Sequence, residues 1–330
     1  MSDGVHPSPE TDVLRRLVED VASVIPPFTL YHAIRRGPRR LATNLAVASS
    51  LAASAWALTA LLGDPLQWIA LAIGWYAAFS SAQALAHRDP ATFALTWGTP
   101  AFRFATLGFG FASMLTLNMG FWTAPLALRS LPVDKGTVGL ILGATAAVCG
   151  IAGVFAGGRV SDIMLRRHPA GRIFVGMASC SIPVPFVIAM CRTHDPWIFF
   201  LSNGPVVFFG IMWMAAGAAT IQEIVLPRMR GTASVTYFLV STLLGSALGP
   251  YLVGKVSAAR GSLSTGIAVS LLAVPIALAT LWMAGRCIEA ASTTKFARAK
   301  AAGDPGDDDR GLHDETRPAS TLPGTTRSKG

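Results

Sequence analysis

The sequence predicts an all-α fold, a polytopic membrane helix bundle of about eight transmembrane helices. Of 330 residues, 52% are hydrophobic and only 14% are charged. A soluble domain carries about 25% charge, so a water-facing globule of this size would be short of surface charge, which argues against a soluble enzyme. An apolar helix crosses a bilayer in about 20 residues, and eight crossings take about 160, close to the apolar half of the chain. The 27 basic residues outnumber the 18 acidic ones. They stand at the ends of apolar runs rather than on one continuous face, which points to membrane topology and away from nucleic acid.

Residues 1–40 form a basic arm. Ser8, Pro9 and Glu10 give a helix start signal, and Val13, Leu14, Leu17, Val18, Val21 and Ile25 then recur at helical spacing. That spacing predicts a short amphipathic helix on the membrane or against the bundle. Arg35, Arg36, Arg39 and Arg40 follow, suited to an anionic cytoplasmic leaflet. The first 25 residues hold no unbroken apolar core, so no cleavable signal peptide is expected and the first long apolar run does the targeting. An extra helix pair occupies residues 41–86, with crossings at 41–62 and 67–86 around Gly63-Asp64-Pro65. Six further crossings are predicted within 104–285, at 105–128, 137–158, 173–191, 197–220, 232–253 and 264–285. Residues 286–330 are polar, carry Asp307-Asp308-Asp309, and are expected to be a disordered cytoplasmic tail.

Counting Lys and Arg in alternate loops gives 22 on one side and 5 on the other, or 8 against 5 without the first arm and the tail. The excess predicts that both termini are cytoplasmic, in a protein integral to the cell (inner) membrane.

The most specific motif is the loop expected after the fourth crossing, Gly157-Gly158-Arg159-Val160-Ser161-Asp162-Ile163-Met164-Leu165-Arg166-Arg167, closing at Gly171-Arg172. A carboxylate followed one turn later by paired arginines can make charge-assisted bonds to a neighbouring helix end. Gly158, Asp162, Arg166 and Arg167 are therefore the gating-loop candidates, a latch that glycine lets close. An ordinary basic loop with a solvated Asp satisfies the same charges. Gly254-Lys255-Val256-Ser257, after the seventh crossing, echoes Gly158-Arg159-Val160-Ser161 at an offset of 96 residues. Three crossings separate the copies, which puts them on opposite faces, as in an inverted repeat of three helices.

On these residues the sequence resembles the major facilitator superfamily, and within it the spinster-like branch. Gly158 to Arg167 is similar to the superfamily's loop motif, with Ile163 and Leu165 departing from it. Phe121-Trp122-Thr123-Ala124-Pro125-Leu126 with Arg129, Val225 to Ser234, and Gly245 to Gly254 (GSALGPYLVG) resemble spinster-type segments of the carboxyl-terminal half. The resemblance covers about residues 100–285 and implies a six-helix half built as a 3+3 inverted repeat, working by rocking-bundle alternating access. The family has twelve helices in two halves. The resemblance thus implies that the amino-terminal half is missing, the chain being either a truncated product or a half that pairs with a second polypeptide or copy.

Polar groups at membrane depth are expensive and usually functional. None of the 18 acidic residues falls near the middle of a crossing, and Glu223, at a helix end, comes nearest. It serves equally as a partner for Arg228 or Arg230. The cavity candidates are uncharged: Asn118, Phe121, Trp122, Asn203, Met212, Trp213, Tyr237 and Ser241. Amides and hydroxyls among aromatics suit a small amphipathic or lipid-like solute, and each of these residues also fits plain helix packing. Gly139 with Gly143, Gly153 with Gly157, and Gly245 with Gly249 are spaced for close helix approach, and Gly249-Pro250 for a hinge.

No HExxH, GxSxG or P-loop spacing occurs, so no enzyme and no cofactor are expected. His87-Arg88-Asp89 lacks the other kinase signatures. Cys149, Cys180, Cys191 and Cys287 lie in or beside apolar runs and read as small hydrophobes. Expected partners are the lipid bilayer, a small-molecule substrate, and a second six-helix half or a homo-oligomer. The competing reading is a scaffold or regulatory half that pairs with a transporter and moves nothing itself.

Overall fold

The computed structural model describes residues 38–303; the amphipathic helix expected at 13–25 and the tail past 303 lie outside the described residues. Among the described residues eight helical spans are long and apolar enough to cross a membrane: Ala42–Leu62, Pro65–Arg88, Pro100–Ser130, Lys135–Arg167, Gly171–Arg192, Pro196–Ile224, Pro227–Arg260 and Leu263–Ala301. They are called the first to the eighth span below. A short helix, Pro90–Leu95, joins the second to the third. The fold is all-α, with no strand among the described residues.

Local chemistry sets where the helices begin. Proline opens the second, third, sixth and seventh spans and the short helix, where its missing N–H would have no helical partner anyway. Asp89, Asp134 and Asp195 accept the backbone N–H of Thr92, Thr137 and Trp197 at 2.9, 2.9 and 2.8 Å, as N-caps do. Four later spans are broken. The fifth bends at Ile182, before Pro183, and the sixth at Ile211 and Met212. The seventh widens into a π segment, Leu243–Leu248, ahead of Gly249-Pro250. The eighth breaks at Leu271 and Leu272, where the ring of Pro275 crowds the carbonyl four residues back.

The third span is the most buried of the eight, and the first span is the least. One end of the third span packs with Ile173, Ile221, Leu281 and Ile288 in one apolar cluster. Its other end packs with Val187, Phe199, Val253 and Ile267 in a second. Thr116 and Asn118 lie between the two stretches. Lipid tails are as apolar as leucine, so these contacts gain from close approach rather than from transfer out of water. Gly108 shows this: a Cβ there would lie 2.6 Å from the Leu281 side chain. Leu140, Val148, Ile151 and Phe155 of the fourth span point outward and exposed, as a lipid-facing surface does.

Side-chain bonds pair loops of like ends. Asp89 meets Arg228, and Arg172 meets both Asp162 and Glu223, at the end that carries the basic excess. Asp64 meets Lys255 at the opposite end. Two expectations are corrected. The Gly157–Arg167 stretch is the last turns of the fourth span rather than a loop, which shrinks to residues 168–170. Its helix runs on because nothing before Pro169 interrupts the backbone bonds; 33 residues at 1.5 Å each outreach the hydrocarbon. Likewise residues 286–301 are helix, not tail. Ile288, Ala291 and Ala299 are buried, and Arg298 donates to Thr99 Oγ1 and Ala94 O at 2.7 and 2.9 Å.

Candidate functional site

The third and seventh spans meet at mid-depth in a polar seam. A Cβ on Gly245 would stand 2.3 Å from Ser113 Oγ, and one on Gly249 2.6 Å from Asn118 Oδ1, so a larger residue at either position would push these side chains aside. Pro250 has no N–H to offer Ser246 O, and the π geometry before it further weakens the helical ladder. Side chains from neighbouring spans bond to the loosened backbone. Gln67 Nε2 donates to Ala247 O at 2.7 Å, Trp122 Nε1 to Pro250 O at 3.2 Å, and Ser113 Oγ to Ser241 O at 3.3 Å.

Beside these bonds stand polar atoms with no partner. Asn118 is fully buried, and neither its amide oxygen nor its nitrogen is bonded; Tyr237 Oη and Ser241 Oγ make no well-formed hydrogen bond either. Tyr237 meets Phe109 edge to face at 6.4 Å. An unpaired amide or hydroxyl costs several kcal/mol in hydrocarbon, so the seam carries unsatisfied polar groups at a close helix contact.

The structure brings Asn118, Trp122, Ser241, Gly245, Gly249 and Pro250 together, with Tyr237 one turn away from Ser241. Met212 and Trp213 are buried at the break of the sixth span. Trp213 Nε1 donates to Thr116 Oγ1 of the third span at 3.1 Å, so Trp213 touches the central helix between Ser113 and Asn118. Asn203 is buried about two turns earlier in the sixth span and does not join the seam. Phe121 is 61% exposed and faces away. Gly153 and Gly157 do pack: a Cβ on either would lie 2.3 Å from Phe208 O or 2.9 Å from Met212 Cα. Gly139 and Gly143 meet nothing within 4 Å among the described residues, so the close packing expected of them is not made there.

At the basic end the expected latch takes another form. Asp162 pairs with Arg172 at 3.1 Å, and Arg172 also holds Glu223 Oε2 at 2.7 Å and Ala219 O at 3.3 Å. Arg172 thus ties the fourth, fifth and sixth spans, while Arg166 and Arg167 are exposed. Glu223 takes Arg172 rather than Arg228 or Arg230, and its backbone carbonyl accepts Lys295 Nζ at 3.1 Å. Gly158 lies in ordinary contact with Ala215. Gly171 is the residue that lets the fifth span return, since a Cβ there would strike Met164 C at 2.2 Å. Asp89 is partly desolvated, which raises its pKa, but hydrogen bonds from Thr92 and the charge of Arg228 outweigh this and hold the carboxyl below the ordinary range.

At the other end, Lys255 Nζ donates to Asp64 Oδ2 at 2.7 Å and Tyr251 Oη to the same oxygen at 3.1 Å. Hydrogen bonds from Lys255 first and Tyr251 second lower the Asp64 pKa. The pairings of Thr116 with Trp213, Arg172 with Glu223, Gln67 with Ala247 and Asp64 with Lys255 escape sequence reasoning, because the partners lie far apart along the chain. Among the described residues no three His, Cys, Asp or Glu side chains are grouped to hold a metal.

No family model matches the sequence. Over 158 residues, 48% of this chain, it is 25% identical to an MFS-type efflux pump of Mycolicibacterium smegmatis and covers 37% of that protein. It is 27% identical over 176 residues to protein spinster homolog 1 of Bos taurus, and 30% identical over 173 residues to protein spinster homolog 3 of Mus musculus, in each case over 48% of this chain and 33% of the relative. The chain thus spans about a third of the length of these curated relatives. The crystal structure of a bacterial homolog to the human lysosomal transporter Spinster, inward-facing and unoccupied, aligns with a TM-score of 0.44 and 20% identity, over 63% of this chain and 49% of that one. Over about 48% of its length this membrane protein is similar to an MFS-type efflux pump and to spinster homologues.

Proposed function

We propose that the chain is a non-enzymatic part of a secondary transporter that carries a small amphipathic or lipid-like solute by rocking-bundle alternating access. The observation that carries this reading is the seam of unpaired Asn118, Tyr237 and Ser241 beside the broken stretch of the seventh span. Polar anchors among aromatics fit an amphipathic solute, and a span with a weakened ladder can bend where the solute passes. The relatives, named as an efflux pump and as spinster homologues, support a carrier. A 3+3 inverted repeat is supported by the two Gly-basic-Val-Ser copies, which close the fourth and seventh spans at opposite ends of the bundle. After each copy a glycine admits the returning helix, Gly171 against Met164 and Gly266 against Val253 O.

The open faces of Gly139 and Gly143 support a partner within the membrane, either a second six-helix half or another copy of this chain. The excess of Lys and Arg at one end supports a cytoplasmic position for that end and both termini, at the inner membrane. Flux in reconstituted vesicles tests the reading, with this chain alone and with any six-span partner. Movement of an amphipathic solute that is lost on Asn118→Leu supports it. A chain that moves none in either preparation is the non-transporting scaffold instead.

A further inference from the structure

A cavity of about 830 Å³ opens at the end opposite the basic one, between the start of the second span and the last turns of the seventh. Its polar corner is the Asp64–Lys255 pair with Tyr251 Oη. Its apolar side is Leu66, Ala70, Pro250 and the ring of Trp122. The indole N–H of Trp122 is spent on Pro250 O, so the ring offers the cavity an apolar surface. Gly254 keeps it there, since a Cβ would lie 3.2 Å from the ring.

The opposite charges of the corner touch, at 2.7 Å, and this decides which ligands it admits. A ligand of one sign would take one partner and leave the other charge bare. A ligand with ammonium and carboxylate one carbon apart replaces both halves of the pair together, and strips neither.

We propose that this cavity binds an apolar α-amino acid, its ammonium on Asp64, its carboxylate on Lys255 and its side chain against Trp122 and Pro250. Tyr251 Oη then turns from Asp64 to the ligand carboxylate. Gln67, whose amide holds Ala247 O in the π segment, lines the same cavity, so occupancy bears directly on the broken stretch of the seventh span. The inference concerns equilibrium binding and stands whether or not the chain transports anything.

The test is binding of radiolabelled L-phenylalanine to the full chain in lipid nanodiscs. Saturable binding is expected, displaced by L-leucine but not by phenethylamine or 3-phenylpropionate, which each carry one charge. Asp64→Asn and Lys255→Gln each weaken it by about tenfold or more, as loss of a charge-assisted bond does. Because either change also unties the helix pair, Ala70→Trp fills the apolar side while leaving the charges in place, and it too abolishes binding. Absence of saturable binding overturns the proposal. So does equal displacement by phenethylamine or 3-phenylpropionate, and so does binding that survives Ala70→Trp.

Discussion

Asn118 is a full amide buried without a bond on the most central helix, and that makes it the sharpest place to separate folding from function. A hydrogen-bonded residue loses stability when its bonds are removed, whereas this one has no hydrogen bond to lose. Asn118→Leu keeps the shape, removes the unpaired polar atoms, and is expected to stabilise the chain by about 1–3 kcal/mol. Thermal melts in detergent will then rise while vesicle flux falls; a melt that drops shows that Asn118 is structural. The glycines divide on the same logic. Gly153→Ala drives a Cβ into the backbone of Phe208 and should cost about 1–3 kcal/mol. Gly139→Ala enters open space and should gain about 0.5–1 kcal/mol from helix propensity, unless a partner occupies that face. The same pair of melts, repeated in lipid with any partner present, reads out that occupancy as a loss of the Gly139→Ala gain. Sequence spacing marked all six glycines alike, because a fourfold spacing fixes only which residues share a face and says nothing about what the face meets.

At the scale of elements, the short helix Pro90–Leu95 is held at both ends by side chains from elsewhere. Asp89 caps its start and pairs with Arg228, while Arg298 of the eighth span takes Ala94 O and Gly98 O near its finish. Asp89→Ala should loosen it by about 1 kcal/mol, read as roughly fivefold faster amide exchange at residues 91–95, and Arg298→Ala should speed the same amides. The pH dependence has a fixed sign. The carboxyl of Asp89 sits below its ordinary value in the folded chain, so its contribution is complete above the ordinary carboxylate range and fades as pH falls through the folded value. Exchange at these amides should therefore accelerate only on going below about pH 4, and Asp89→Asn should flatten that change. Helix starts of this kind are legible in a sequence, since Asp-Pro at 64–65, 89–90 and 195–196 puts an acceptor and a proline at a helix's first positions. The eight crossings were legible for the same local reason, being runs of apolar residues of hydrocarbon length. What was not legible is everything joined across distance. Arg172 and Glu223 are 51 residues apart and Lys255 and Asp64 are 191, and no local pattern encodes either pair. The π segment is also hidden, because Gly-Ser-Ala-Leu-Gly-Pro shows where a helix is weak and not which way it yields.

For the whole molecule, charge sidedness is the property that sequence and structure express together. The loops counted as basic, around residues 88–99, 168–170 and 225–229, are the ones whose side chains bond one another and the long eighth span. The sparsely basic loops bear Asp64 with Lys255 and, beside His194, Ser130 O. A bundle folded with one crossing miscounted would join loops of unlike charge, so the bonding pattern and the charge count constrain each other. Orientation in the lipid is the remaining step, and thiol labelling decides it. Ser161 and Ser257, inside the two repeat copies, are buried, so the reporters belong just beyond them at Pro169 and Ala259, both exposed. In a chain whose Cys149, Cys180, Cys191 and Cys287 are replaced by serine or alanine, Ala259→Cys should react with an impermeant reagent in intact cells. Pro169→Cys should react only after the membrane is opened. Because the copies follow spans three apart, an odd number, the two reporters must fall on opposite sides whichever way the bundle inserts. Labelling from one side would break the eight-span order and with it the repeat. Labelling from opposite but exchanged sides would leave the fold standing and reverse only the direction, a result that would mean the basic arm and tail do not govern insertion.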